Sequence, residues 1–311
     1  MITIGFFGTP ELASCILDSF LKDQGYTVAF VVTNPDAPQG RKQTLTETPV
    51  KKRAREDQIP VFTPEKIRNN TEFLETIRAF SVDYIIVVAY GKILPREILE
   101  LPGKMCVNVH FSLLPKYRGA SPIQSALLHG EKETGMTIMK MNEKMDEWDI
   151  IFQEKIMISK RETSGTLFAK FCDESSNVVT NIIKKLHAGE LEPMPQDHTQ
   201  ATYVEKIAKT DGLVDWTKNA EDIYHRWQAF TPWPWIFTFL DGKRLLLEEV
   251  TWESGDSDAL PGTIFQRDDT IEIACGEGVL IPKRLKLEGK TSQTLEEFRR
   301  WHQNLIGKHL G

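Results

Sequence analysis

Short apolar runs and amphipathic stretches alternate through the first half of the chain. The amphipathic segment Glu11–Lys22 separates the first two runs, and Thr9 and Pro10 before it fit an N-cap followed by a proline at the first helical position. Continuous β-branched runs are typical of strands covered on both faces, so we predict a parallel sheet of strand–helix–strand units. The predicted strands are Ile2–Phe7, Thr27–Thr33, Asp83–Ala89 and Met105–His110, and further helices are predicted near Gln124–Leu128 and Leu167–Leu186.

The pattern changes after about Ala188. Glu190–Thr202 is polar and contains two prolines, which is typical of a linker. Beyond it, short strand-like runs are separated by turn signals, and their spacing favours a small β-barrel or sandwich over further strand–helix units. These runs are Phe237–Leu240, Leu245–Val250, Gly262–Phe265, Ile271–Ala274 and Val279–Ile281. We therefore predict an α/β domain over 1–189, a linker over 190–209 and a β-rich domain over 210–311.

Composition and charge narrow the classes of protein that fit. Among 311 residues, 41% are hydrophobic and 26% are charged, as in ordinary globular proteins. A net charge of −6 argues against binding nucleic acid by bulk charge, so any such site must come from local basic patches. The four cysteines lie scattered in apolar runs without zinc-ligand spacing, which favours reduced core residues in a metal-free protein. With no signal peptide or membrane-length run, we expect the cytoplasm.

Asn108 and His110 form a polar pair at the end of a predicted strand. Because they lie two residues apart, their side chains share one face of the sheet. Open α/β sheets bind ligands at the carboxyl ends of their strands. An amide can donate to an oxygen that becomes negative, and an imidazole can donate to it or move a proton, so the pair suits acyl transfer. Taken alone, such a pair is more often a turn former or an internally satisfied polar pair.

The stretch around this pair resembles the formyltransferase family that uses 10-formyltetrahydrofolate. The family signature N-x-H-x-S-L-L-P-x-x-x-G is matched at Asn108, His110, Ser112, Leu113, Leu114, Pro115 and Gly119. The downstream segment from Gly135 resembles the loop that carries the family's third catalytic residue, and this match falls on Asp146. The resemblance implies a Rossmann-like parallel-sheet catalytic domain followed by an OB-like β-barrel domain.

The same resemblance implies roles for these residues in direct attack of an amine on the formyl carbon. Asn108 is expected to stabilise the oxyanion, His110 to donate to it or relay a proton, and Asp146 to orient the imidazole. The loop after the strand at 83–89 resembles the family's pterin-binding loop, although by itself it fits an ordinary strand-to-helix turn. The expected folate-binding residues are Val88, Ala89, Tyr90, Gly91, Ile93, Leu94, Ser112, Leu113, Leu114 and Pro115.

Two positions depart from the family pattern. The aspartate is usually followed by a small pair such as Thr-Gly, whereas Glu147 and Trp148 stand here. Without that glycine the loop loses an easy route to positive φ, so we expect it to turn differently, with the indole as a candidate cover for the folate pocket. Phe111 stands where relatives commonly carry glycine or proline.

The formyl acceptor is indicated by a long basic loop after the second strand. The segment from Pro35 to Arg55 contains six Lys and Arg residues and only two acidic residues, which gives it a local charge of +4. The loop resembles the insertion that methionyl-tRNA formyltransferases present to the acceptor stem, and the tRNA-binding residues expected from it are Arg41, Lys42 and Lys51. Residues 283–311 carry a second excess of +4, from seven Lys and Arg against three Glu. A basic barrel edge suits contact with RNA phosphates.

The expected partners are therefore initiator methionyl-tRNA and the co-substrate 10-formyltetrahydrofolate, without a membrane or a metal, and the chain is expected to act as a monomer. Two alternatives stay open. A formyltransferase acting on a sugar amine shares the catalytic core, although the basic loop speaks against it. A folate- or tRNA-binding protein without catalysis fits if Glu147 and Trp148 disable the loop.

Overall fold

The computed structural model describes residues 1–40, 43–142, 146–255, 257–302 and 304–311. These residues form two compact units. The first comprises 1–122, 133–157 and 168–205, and the second comprises 123–132, 158–167 and 206–311. The domain limits at 189 and 210 remain our proposal. No described helix is long and apolar enough to cross a membrane.

Parallel strands dominate the first unit. Its strands are β1 Ile2–Gly8, β2 Tyr26–Val32, β3 Ala37–Gln39, β4 Thr44–Thr46, β5 Val61–Phe62, β6 Tyr84–Val88, β7 Met105–His110, β8 Arg118–Gly119, β9 Glu133–Lys140, β10 Ile150–Met157 and β11 Tyr203–Val204. Within the described residues a seven-stranded sheet runs in the order β10-β9-β7-β6-β1-β2-β5, and only its β7/β9 and β9/β10 pairs are antiparallel. The chain reverses direction across the sheet between β1 and β6, and their carboxyl ends open the crevice where such folds bind ligands.

Helices connect these strands. They are α1 Glu11–Lys22, α2 Pro49–Glu56, α3 Thr71–Arg78, α4 Arg96–Leu99, α5 Pro122–Leu128 and α6 Ser164–His187. Of these, α5 after Pro122 and the first residues of α6, up to 167, are counted with the second unit. The predicted cap of α1 is wrong: Pro10 is the N-cap residue, and the Thr9 hydroxyl donates instead to the carbonyl oxygen of Tyr90 at 3.4 Å. Because tertiary contacts turn the Thr9 hydroxyl toward the loop at Tyr90, it does not accept a hydrogen bond from an N–H of the first helical turn. In contrast, Thr48 caps α2 by accepting from the Lys51 N–H.

The cysteines also differ from the prediction. Cys15 on α1 and Cys172 on α6 form a disulfide, although all four cysteines were expected to be reduced. The two helices bring their Cα atoms within 5.5 Å across a sequence separation of 157 residues, and spacing along the chain carries no sign of such an approach. Cys106 and Cys275 are free and buried, as predicted.

The second unit is built mainly of antiparallel strands. Its elements are α7 Ala220–Phe230, β12 Phe237–Leu240, β13 Lys243–Glu253, β14 Ile264–Arg267, β15 Thr270–Ala274, β16 Val279–Leu287, β17 Gln293–Thr294 and α8 Leu295–Trp301. The described strands form a curled sheet in the order β12-β13-β16-β15-β14, with β17 paired to β16. The sequence-based fold class, a Rossmann-like parallel-sheet domain followed by an OB-like β-barrel domain, is confirmed, and the described part of the second sheet is a curled antiparallel half-barrel.

Candidate active site

Strand β7 brings Asn108 and His110 to one face at the carboxyl end of the sheet. Asn108 pairs in register with Val87 of β6 and Met139 of β9, while His110 lies opposite Thr137. Asn108 is half-buried, and its side-chain amide makes no hydrogen bond to the residues that the structure describes. The amide is therefore free to donate to a ligand.

His110 is held by its neighbours. The ring is 6% exposed, and Nε2 lies 2.9 Å from the carbonyl oxygen of Tyr117. Because a carbonyl only accepts hydrogen bonds, Nε2 carries a proton and donates it there. The other nitrogen, Nδ1, lies 3.8 Å from Asp146 Oδ2. The ring is thus fixed in orientation, and Nδ1 is the nitrogen available for proton transfer.

Asp146 lies close to His110, as the sequence predicted. Its Oδ2 accepts a hydrogen bond from the Gly119 N–H at 2.9 Å. Asp146 itself takes the left-handed conformation, with φ of 53°. The loop that lacks the usual glycine therefore obtains its turn from the aspartate, and aspartate is among the few residues with a Cβ that tolerate this region.

Of the three residues that depart from the family pattern, Trp148 and Phe111 are buried and Glu147 is half-buried. Trp148 is 5% exposed, and its indole N–H has no hydrogen-bond partner among the described residues. Phe111 is also 5% exposed and packs edge-to-face against Phe171, with ring centroids 5.1 Å apart. Phe111 therefore serves packing in the first unit.

The Ser112–Pro115 loop is fixed by residues that sequence reasoning did not find. Ser112 is fully buried, and its hydroxyl donates to the Lys116 carbonyl at 2.7 Å. Thr137 donates to the Ser112 carbonyl at 2.6 Å and accepts from the Leu114 N–H at 3.2 Å. Gln153 donates to the Leu114 carbonyl and to Thr137. The sequence carries no local signal for these contacts, since they join separate strands.

The loop after β6 exposes backbone where a folate ring is expected. Ala89 has φ of 45° and Gly91 φ of 80°, and a Cβ added at Gly91 meets no atom within 4 Å. Asn34 fixes the loop by donating to the Tyr90 carbonyl at 2.9 Å. The expected folate-binding residues divide by exposure: Ala89, Gly91 and Ile93 are exposed, Leu113 and Pro115 are half-buried, and Val88, Tyr90, Leu94, Ser112 and Leu114 are buried.

The basic loop is only partly described. Arg41 and Lys42, two of the expected tRNA-binding residues, lie outside the described residues. Lys51 lies on α2, where its Nζ pairs with Asp36 at 2.6 Å and with Glu47 at 3.6 Å. The hydrogen bond to Asp36 raises the pKa of Lys51. Its positive charge is therefore already shared with two carboxylates.

Two family models match the chain and together cover most of it. The model described as formyl transferase matches residues 2–183, and the model described as formyl transferase, C-terminal domain, matches residues 206–303. Together with the fold and the site, these matches define a formyl-group transferase, and the chain is an enzyme of that class.

A methionyl-tRNA formyltransferase of Desulfotalea psychrophila is 43% identical to the chain over 300 residues, which cover 96% of this chain and 92% of that protein. The chain belongs to the methionyl-tRNA formyltransferase family, as its sequence motifs predicted.

Solved structures share the fold. An N-formyltransferase from Helicobacter canadensis, in complex with folinic acid and dTDP-3-aminofucose, superposes with a TM-score of 0.64 over 91% of this chain and 99% of that chain, at 17% identity. A methionyl-tRNA formyltransferase from Clostridium thermocellum gives a TM-score of 0.57 over 81% of this chain and 94% of that chain, at 19% identity. At this identity the likeness concerns the fold alone.

Proposed function

We propose that the chain transfers the formyl group of 10-formyltetrahydrofolate to the α-amine of initiator methionyl-tRNA, with Asn108, His110 and Asp146 as its catalytic residues. The observation that carries this assignment is the free amide of Asn108 beside an oriented imidazole, at the sheet edge where parallel α/β folds bind ligands. Family membership supplies the reaction class.

The reaction forms one bond and breaks another on the same carbon. The amine nitrogen attacks the formyl carbon, and the bond from that carbon to N10 of the folate breaks. The amine loses a proton, and N10 gains one as it leaves. Asn108 donates to the formyl oxygen as its negative charge develops, a contact that is stronger in the transition state than in the ground state.

His110 and Asp146 handle the proton. With Nε2 donating to the Tyr117 carbonyl, the Nδ1 side faces the reacting atoms and Asp146. A protonated Nδ1 donates to the formyl oxygen or to the departing N10, and the ring, once it has given up that proton, takes the proton that the amine loses. Asp146 Oδ2, which accepts from the Gly119 N–H, stabilises the imidazolium and keeps the ring in place.

The loop after β6 fits a folate. Ala89 and Gly91 present exposed backbone in the left-handed region, so N–H and C=O groups are available to the edge of a flat ring. Ile93, also exposed, offers an apolar contact next to them. The remaining residues of the predicted folate set stay part of this proposal, the buried ones as support for the loop.

The positive charge of the basic loop supports methionyl-tRNA as the formyl acceptor. Arg41 and Lys42 are proposed to bind phosphates of the acceptor stem, and Lys51 to join them by exchanging its carboxylate partners for phosphate oxygens.

An enzyme that prepares initiator tRNA works in the cytoplasm, where we place it. We propose a monomer. A sugar amine is the second acceptor to test, because a sugar-nucleotide complex is known for a protein of the same fold.

The test measures binding and transfer separately. Folate binding is followed by fluorescence, and formyl transfer is followed with charged initiator tRNA or an amino-sugar nucleotide. We expect transfer to the tRNA only. Folate binding without transfer to either acceptor would replace this proposal with a non-catalytic role.

A further inference from the structure

Arg118 is a buried cation close to the Asp146 loop. Only 1% of it is exposed. Its guanidinium donates to Gln196 Oε1 from Nε at 3.3 Å and from Nη2 at 2.7 Å, to His198 Nδ1 at 2.9 Å and to Tyr203 Oη at 3.0 Å. Glu147 Oε1 lies 3.7 Å from Nη1. Burying a guanidinium costs free energy unless such partners surround it. Apolar residues would fill the same space at least as well, so packing alone does not account for a buried arginine here.

Arg118 fixes the orientation of the Gln196 amide. A guanidinium has only donors, so Oε1 of Gln196 must face it and the amide cannot be reversed. The Nε2 group is thereby directed at the Asp146 loop. It donates to the carbonyl oxygen of Asp146 at 3.0 Å and to that of Trp148 at 2.7 Å. Both amide protons are used, and Gln196 is 6% exposed.

The loop that Gln196 holds contains unfavourable backbone. Asp146 has φ of 53°, a conformation that aspartate tolerates better than most residues with a Cβ but that still gains from contacts that hold it. Gln196 holds the Asp146 carbonyl, and the N–H of Gly119, the residue after Arg118, holds its carboxylate. The Arg118 N–H in turn donates to the carbonyl oxygen of Thr202, the residue before β11, at 2.8 Å, and Arg118 pairs with Tyr203 in the β8–β11 pair.

We propose that Arg118 and Gln196 are positioning residues, which hold the Asp146 backbone so that its carboxylate stays 3.8 Å from Nδ1 of His110. The proposal rests on the catalytic role of Asp146 given above. Arg118 orients Gln196, Gln196 fixes the loop, and the loop places the carboxylate. The polar segment that contains Gln196 is thus part of the active-site support.

The sharpest probe is Gln196→Glu. Glutamate has the same shape and keeps an acceptor for Arg118, but it has no proton to donate to the two loop carbonyls. We expect kcat to fall about 10- to 100-fold, because small displacements of a catalytic group cost on this order. KM for 10-formyltetrahydrofolate and for methionyl-tRNA should stay within about twofold. Gln196→Met, which removes the donors without adding charge, gives the same comparison if the glutamate variant does not fold.

Gln200→Glu is the matched control. Gln200 is exposed in the same segment, and its Nε2 donates to Asp197 Oδ2 at 3.0 Å, away from the Asp146 loop. The same change of charge there should leave kcat within about twofold of wild type. In an Asp146→Asn background, Gln196→Glu should lower kcat by less than about twofold more, since its effect acts through Asp146.

A second readout does not depend on turnover. The ring ¹⁵N signals of His110 should move in Gln196→Glu in the same direction as in Asp146→Asn, and stay in place in Gln200→Glu. Unchanged His110 signals or wild-type kcat in Gln196→Glu would overturn the proposal. It would also be overturned if the fold-loss of kcat in the double variant equalled the product of the losses in Gln196→Glu and Asp146→Asn. If the wild-type chain transfers no formyl group, the proposed function fails, and the His110 signals alone still decide whether Gln196 positions Asp146.

Discussion

Replacing Asn108 by alanine removes the amide that is proposed to meet the formyl oxygen. Asn108 makes no side-chain hydrogen bond to the described residues and is half-buried, so its loss leaves no buried group unpaired. We therefore expect the free energy of unfolding to change by less than about 1 kcal/mol, as for substitutions away from packed or bonded sites. Removing one oxyanion donor typically costs about 10²- to 10³-fold in kcat, or about 3–4 kcal/mol.

The assay is steady-state formyl transfer with both substrates varied, together with urea unfolding of the same samples. The loss should appear in kcat and in kcat/KM, with little change in KM, because the contact strengthens only in the transition state. Wild-type kcat in Asn108→Ala would refute the oxyanion role. A fall in activity matched by a large loss of stability would also count against it, since it would show a structural role.

Three further outcomes follow from the structure and sequence. Gly119→Ala should lower kcat at least tenfold, because φ is 116° there and a Cβ would lie 2.2 Å from the Val204 carbonyl oxygen; the same steady-state assay measures it. Reduction of the Cys15–Cys172 disulfide, whose cysteines are separated by 157 positions, should lower the free energy of unfolding by up to about 5 kcal/mol, seen in urea curves with and without reductant. Arg41→Ala should weaken tRNA use. It should also make the fall of the logarithm of the tRNA association constant with the logarithm of salt concentration shallower by about 1, while folate binding stays unchanged.

The first two of these predictions have matched controls. The equivalent substitution at Gly189, also at positive φ but with no atom within 4 Å of an added Cβ, should leave kcat near wild type. Cys15→Ala should match the reduced wild type and lose its response to reductant; equal curves in all samples would contradict the disulfide's contribution. An unchanged salt dependence of tRNA binding in Arg41→Ala would show that Arg41 makes no phosphate contact.

Much of the fold was predictable because it rests on local patterns. Met105–His110 and Phe237–Leu240 were predicted with the bounds that the structure has, since a short, mainly apolar run flanked by turn residues indicates a strand without reference to distant contacts. The proposed catalytic residues Asn108, His110 and Asp146 were predicted from a motif and its spacing, and the structure places Asp146 3.8 Å from His110; their catalytic roles remain a prediction.

What the sequence missed depends on distant partners. Glu190–Thr202 has the polar, proline-containing composition of a linker, yet Gln196 and Thr202 hydrogen-bond to the Arg118 and Asp146 segments. Composition describes solubility and turn preference and carries no information on which carbonyl an amide will meet. The α1 cap failed for the same reason, because a neighbouring loop and not the helix engages Thr9.

The central claim is tested most directly by incubating the protein with 10-formyltetrahydrofolate and charged initiator methionyl-tRNA, in parallel with an amino-sugar nucleotide. We expect formyl-methionyl-tRNA as the product, no formylated sugar, and loss of the product in Asn108→Ala. Formylation of the sugar and not of the tRNA, or folate binding without transfer to either acceptor, would contradict it.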